Sequence, residues 1–189
     1  QALLVLAYSE AYIATKRPLY RQTVEETLNY VLRDMTDEAG GFLSAEDADS
    51  EGVEGKFYVW RKEEIEEILD QETARLFCSV YNIREDGNFQ PEAGEEQGGA
   101  NIPHMTGTWE ETAREIEMDE QTLRECMQGA REALFEVREK RIHPHKDDKV
   151  LTDWNGLMIA ATATAGRRLD QPAYTEAAAK AANFIMDSL

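Results

Sequence analysis

Basic side chains are scarce in this chain. Lys and Arg number 20 against 38 Asp and Glu, a formal charge of −18 over 189 residues. A surface that negative repels phosphate backbones and anionic lipid, so nucleic acid and membranes are excluded as expected partners. No apolar run is long enough to span a bilayer, and no secretory leader is visible. Cysteine is nearly absent: Cys78 and Cys126 are the only two, in helix-like stretches and without Cys-x-x-Cys spacing. That pattern predicts buried, reduced thiols and a cytoplasmic setting. No Gly-rich phosphate loop, Ser/His/Asp order or Cys nucleophile context stands out. An initiator Met is also missing. The chain opens at Gln1 and closes at Leu189, each inside a helical pattern, and is expected to be a piece of a longer protein.

What is present is concentrated in two segments. Residues 40–52 read Gly-Gly-Phe-Leu-Ser-Ala-Glu-Asp-Ala-Asp-Ser-Glu-Gly, with four carboxylates between Glu46 and Glu51. Like charges this close are expected on a loop, where binding and catalytic groups are usually carried. Residues 147–156 read Asp-Asp-Lys-Val-Leu-Thr-Asp-Trp-Asn-Gly. The functional expectation rests on these two segments being neighbours in space.

Helical periodicity dominates elsewhere. Small and apolar residues recur at Leu3, Leu4, Ala7, Tyr8, Ala11 and Ala14, and Val24, Leu28, Val31 and Leu32 mark a second helix after Pro18. The design returns near the C-terminus: Leu157, Ala161, Ala165, Pro172, Tyr174, Asn183, Phe184 and Ile185 match Leu3, Ala7, Ala11, Pro18, Tyr20, Asn29, Tyr30 and Val31 at a constant offset of 154 positions (157 − 3). This is an internal repeat of helical hairpins. Further helices are expected over 62–69, 72–81, 109–116 and 119–141, with a Gly-, Glu- and Pro-rich excursion over 85–108. Phe42–Leu43 and residues 57–60 suggest a small β-hairpin insertion within 41–61. The expected architecture is a single all-α domain over 1–189, a partial (α/α)6 toroid with hairpins near 1–36, 71–141 and 153–189. In such an array the two acidic linkers share one rim, and helix N-termini turn their positive ends toward it.

The segments 40–51, 55–60 (Gly-Lys-Phe-Tyr-Val-Trp) and 147–160 (Asp-Asp-Lys-Val-Leu-Thr-Asp-Trp-Asn-Gly-Leu-Met-Ile-Ala) resemble the signature segments of the spermatogenesis-associated protein 20 family. The resemblance implies a thioredoxin-like domain, absent here with its Cys motif, followed by an (α/α)6 toroid similar to N-acylglucosamine 2-epimerases and six-hairpin glycosidases. It implies the fold more firmly than a reaction.

The chemistry expected of the acidic rim is carbohydrate processing, by an epimerase-like isomerase or a glycosidase-like hydrolase. Paired carboxylates serve glycoside cleavage as acid and nucleophile or base, and Asp47, Asp49, Asp148 and Asp153 are the candidates. His145 would assist proton transfer, with His104 a weaker choice. Glu46, Lys149, Trp154 and Asn155 would contact a saccharide, Trp154 by stacking. The competing reading of Asp153 is a helix cap, and of Lys149 a surface pair with Asp147 or Asp148. Asp47, Asp49, Glu51 and Gly52 mimic the start of an EF-hand, but Tyr58 stands where a bidentate Glu is needed, so that site fails. His143-Pro144-His145 beside two Asp lacks a third clustered ligand, so no metal and no cofactor is expected. The alternative function is a non-catalytic scaffold that docks the thioredoxin-like domain of the same parent chain. An exposed cut face would drive self-association.

Overall fold

The computed structural model describes residues 1–90 and 98–188. Among the described residues it contains eight helices and four two-residue strands: α1 (Ala2–Thr15), α2 (Pro18–Asp34), β1 (Ala45–Glu46), β2 (Asp49–Ser50), β3 (Val53–Glu54), α3 (Lys62–Ile68), α4 (Gln71–Val80), α5 (Trp109–Glu115), α6 (Glu120–Arg138), β4 (Lys146–Asp147), α7 (Thr152–Leu169) and α8 (Pro172–Ser188). The fold is all-α in class. Part of the expected 85–108 excursion, residues 91–97, lies outside the described residues. The chain divides into two compact units, the first of Gln1–Glu46 with Lys146–Leu189 and the second of Asp47–His145.

In the first unit the repeat is visible in the backbone itself. Pro18 opens α2 and Pro172 opens α8, at the same offset of 154 (172 − 18). Two residues before each proline the chain turns through the left-handed region, at Lys16 (φ 58°) and Asp170 (φ 55°). Each of these caps donates its backbone N–H four residues back, Lys16 to Tyr12 and Asp170 to Gly166. The turn thus reverses the chain. Proline at the first helical position sacrifices only an N–H that the helix cannot use. The hairpins bury Val24, Leu28 and Val31 of α2 in one cluster with Val5, Ala161, Ala165 and Ala181. Small residues on α7 let the helices come close, while β-branched and Leu side chains on α2 fill the space.

The second unit has its own core. Trp60, Ile65 of α3, Phe77 of α4, and Leu123, Met127 and Leu134 of α6 pack together. Helices α4 and α6 are in contact, and α3 and α5 both pack on this pair. Asn101 is fully buried and organises the surrounding loops: its Nδ2 donates to the carbonyls of Trp60, Arg84 and Gly99, and its Oδ1 accepts from Arg84 N. Both amide hydrogens find acceptors, one of them shared between two carbonyls, and the amide oxygen has a donor, so neither polar atom of the buried side chain is left unpaired.

The β structure differs from expectation. Phe42 does not pair with residues 57–60; it bridges Thr36, and Trp60 bridges Asn101. The strands that do form are β1 with β4 and β2 with β3, both antiparallel. The β2–β3 hairpin is set by Glu51 (φ 55°) and Gly52 (φ 75°), two consecutive positive-φ residues as a I′ turn requires. The carboxylate segment expected to be loop is therefore partly regular: Glu46 lies in β1 and Asp49 in β2.

Two helices of the second unit start on an ionised Asp cap and a third on a capping box that includes a carboxylate. Asp70 accepts from Glu72 N and Thr73 N, and Asp119 from Thr122 N. At α5, Thr108 and Glu111 form a reciprocal capping box. Bonds from Thr73 hold the Asp70 carboxyl below its ordinary range, bonds from Thr122 do so for Asp119, and bonds from Thr108 for Glu111. Since the folded pKa values lie below the unfolded ones, this stabilisation is complete above the ordinary carboxylate range. It is lost as the pH falls through the folded values. The double variant Asp70→Asn, Asp119→Asn keeps the caps but not the titration. Thermal unfolding followed by circular dichroism is expected to show near-wild-type stability at neutral pH and a shallower fall in Tm under acid.

Candidate functional site

The first unit brings part of the two motif segments together. Asp37 Oδ1 accepts from Gly40 N and Gly41 N at 2.7 and 2.9 Å, which bends the chain just after α2. Gly41 is required by close approach: a β-carbon there would come within 2.7 Å of the Phe184 ring. The next residue, Phe42, is held by a side chain 113 positions away. Phe42 N donates to Asn155 Oδ1 at 2.8 Å, and Asn155 Nδ2 donates to Phe42 O at 2.9 Å and to Leu151 O at 3.0 Å. The Asn155 amide thus stands in for a neighbouring strand. Ser44 N and Ser44 Oγ both donate to Asp147 O, and Ala45 and Glu46 pair with Asp147 and Lys146. Lys146 Nζ donates to Asp34 O, and Tyr30 OH donates to Glu46 Oε2 at 2.7 Å.

The remaining residues of the second segment radiate from this clasp. Asp147 and Lys149 form an ion pair at 2.8 Å. The Lys149 ammonium holds the Asp147 carboxyl below its usual range, and Asp147 raises Lys149 in turn. Asp148 is exposed. Helix α7 begins at Thr152, with Leu151 as the residue before it, so Asp153 sits inside the first turn rather than at the cap. Its charge faces the positive end of the helix, a favourable placement. Trp154 follows and is 51% exposed.

Other candidates belong to the second unit. Asp47 N donates to His145 O at 2.8 Å, and Asp47 Oδ1 accepts from Asp49 N. Asp47, Asp49 and His145 are all exposed. Lys56 pairs with Glu51 at 2.8 Å. His143 lies against Phe57, with ring centroids 4.6 Å apart, and His104 contacts Asn82 and Ile102 O through its two ring nitrogens. Among the described residues no group of three His, Cys, Asp or Glu is placed to hold a metal ion.

No family model matches the chain. Over 98% of its residues it is 33% identical to human spermatogenesis-associated protein 20 and 30% identical to the rat protein of that name. The chain is homologous to one region of spermatogenesis-associated protein 20. It spans about a quarter of these relatives, 26% of each. An uncharacterised protein of Caenorhabditis elegans is 30% identical over 98% of the chain, which covers 28% of that relative.

The geometry separates the roles of the spermatogenesis-associated protein 20 motifs in this chain. Asn155, expected to touch a sugar ring, is 1% exposed and its amide is committed to Phe42 and Leu151. Its role here is to hold the clasp, because a buried amide with its bonds made has no group left to offer a ligand. Lys149 has its pair in Asp147, and Glu46 its phenol in Tyr30. Asp148, Asp153 and Trp154 are left facing solvent in the first unit, and Asp47, Asp49 and His145 in the second. Sequence reasoning passed over Asp147 as an organising residue, and Asn101 entirely. Asn101 sits in the polar 85–108 stretch, where one Asn looks like any other loop residue.

Replacing Asn155 by Ala leaves the buried N–H and C=O of Phe42 without that partner. The expected cost is about 2–6 kcal/mol, from roughly 1–3 for each of the two orphaned buried groups. Chemical denaturation of the Asn155→Ala protein measures it. A residue that served only a ligand would leave the midpoint unmoved.

Proposed function

We propose that the chain contributes a saccharide-processing site, epimerase-like or glycosidase-like, built on the start of α7. The observation that supports it is the exposure of the Trp154 indole and of two carboxylates at the same chain segment, Asp153 next to it in the first turn of α7 and Asp148 just before that helix. An aromatic face set next to acids that can accept hydrogen bonds suits the C–H-rich face and hydroxyl rim of a sugar. Within this reading Asp148 and Asp153 supply acid and base groups, and Asp47, Asp49 and His145 form a second set of candidates for proton transfer. The clasp formed by Asn155 and β1–β4 fixes the backbone from which the first set projects, as a preorganised site requires. The setting is cytoplasmic in this reading, in keeping with two free thiols and no helix, among the described residues, long and apolar enough to cross a membrane.

A second reading has its own support. Leu3 and Leu4 on α1 and Leu157 on α7 are exposed, together with Trp154 one helical turn before Leu157. Exposed apolar residues on neighbouring turns suit a docking surface for a protein. The partner would be a thioredoxin-like domain of a parent chain or a second copy. A thermal-shift panel of free sugars, amino sugars and sugar phosphates separates the two readings. The saccharide reading expects a selective rise in Tm that is lost in Asp148→Asn and Trp154→Ala. A flat panel, with light scattering that shows association weakened by changes at Trp154 and Leu157, contradicts it and supports docking.

A further inference from the structure

The second unit contains a cavity of about 580 Å³ whose charge is opposite to that of the chain as a whole. Small-molecule sites typically enclose roughly 300–1,000 Å³. Its lining carries four cationic residues, Lys56, Arg61, Lys140 and Arg141, against two acids, Glu51 and Glu64. The formal balance is 4 − 2 = +2, in a protein whose total is −18. None of the residues given a saccharide role lines it.

Arg141 is the fixed element. Its guanidinium lies over the Trp60 ring at 4.0 Å and donates to Phe57 O and Val59 O at 3.0 and 2.7 Å. A planar cation held by a ring face and two carbonyls is preorganised, unlike a free surface lysine. Its neutralisation is incomplete. The Glu64 carboxylate is 3.5 Å away, and that same carboxylate is also engaged by the Arg61 backbone N–H at 2.8 Å at the start of α3. Burial depresses the Arg141 guanidinium; Glu64 opposes this, while Arg138 one turn earlier adds repulsion. Arg138 Nε is itself buried and has no hydrogen-bond partner among the described residues. Three flexible cations, Lys56, Arg61 and Lys140, stand exposed around this fixed charge, and of them Lys56 is paired with Glu51. The walls between them include Phe57, Val59 and Ile142, which give an apolar surface for the body of a ligand.

We propose that this cavity binds a small organic anion, with its oxyanion group held by Lys56, Arg61 and Lys140 beside Arg141 and its body against Phe57 and Val59. A cleft of one sign within a protein of the other gathers its ligand locally even though the total charge repels it. Phosphate and carboxylate groups share the required chemistry, and charge-assisted bonds to either are the strong class of hydrogen bond.

The test uses pyrophosphate and citrate as probes, with NaCl at matched ionic strength as reference. Tm and isothermal titration are read for the wild type, for the triple variant Lys56→Gln, Arg61→Gln, Lys140→Gln, and for Arg114→Gln on an unrelated exposed pair. All three changed residues of the triple variant are solvent-exposed, so its unliganded Tm and circular dichroism are expected to match the wild type. The proposal expects saturable binding of at least one probe beyond the NaCl effect. It expects affinity reduced at least about tenfold in the triple variant, since each charge-assisted bond is worth about that much, and unchanged affinity in Arg114→Gln. Response to pyrophosphate alone identifies a phosphate-type ligand, and to citrate alone a carboxylate-type ligand. Stabilisation no greater than that of NaCl, or binding that survives in the triple variant, overturns it.

Discussion

The hydrogen bonds between the Asn155 side chain and the Phe42 backbone are the constraint on which the first unit depends. Phe42 lies where the chain leaves the first helical hairpin, and Asn155 lies in the first turn of the hairpin that repeats it. A backbone N–H and C=O in a buried position must be paired, and the bridge to Thr36 takes up Gly41 O and Leu43 N rather than the groups of Phe42 itself. One amide side chain supplies both a donor and an acceptor. Once it does, Ser44 meets Asp147, β1 meets β4, and Lys146 reaches the end of α2 at Asp34 O. The exposed acids and indole at the start of α7 inherit a fixed origin from that arrangement.

The second unit solves a similar problem with the same residue type. Asn101 ties Trp60, Arg84 and Gly99 by their backbones. This positions the Trp60 ring on which Arg141 is stacked. In each unit, one fully satisfied asparagine converts irregular chain into a defined wall. The groups able to meet a ligand are then carried on the outer side of that wall. Buried polar residues of this sort specify a unique arrangement only because every bond is made.

Much of the helical scaffold was legible in the residues. Pro18 and Pro172, Tyr20 and Tyr174, and the Ala-rich first helix of each copy recur at one offset because a tight helical turn needs the same chemistry each time. The structure places the starts of α2 and α8 and the left-handed caps before them at that offset too. The meeting of the first part of the acidic segment, Phe42 to Glu46, with Lys146, Asp147 and Asn155 was also legible, as linkers of equivalent kind. What escaped is what depends on burial. Glu51-Gly52 reads as the end of an acidic loop until its φ angles are seen, and then it is a hairpin turn. Asn155 beside an exposed Trp154 reads as a ligand contact, but a helix turns successive residues by about 100°, so one faces solvent and the next the interior. The cationic cavity was hidden for a different reason. Its residues come from positions 56, 61, 140 and 141, and the large negative total masks a local positive balance.

Native-state hydrogen exchange of the Phe42 amide tests the account most directly. Held by a buried side-chain amide, this N–H is predicted to exchange only through global unfolding, with the same protection as the core of α2 around Leu28. Exchange of Phe42 at the rate of the exposed residues around Asp148 would contradict the account, because the clasp would then open without the fold.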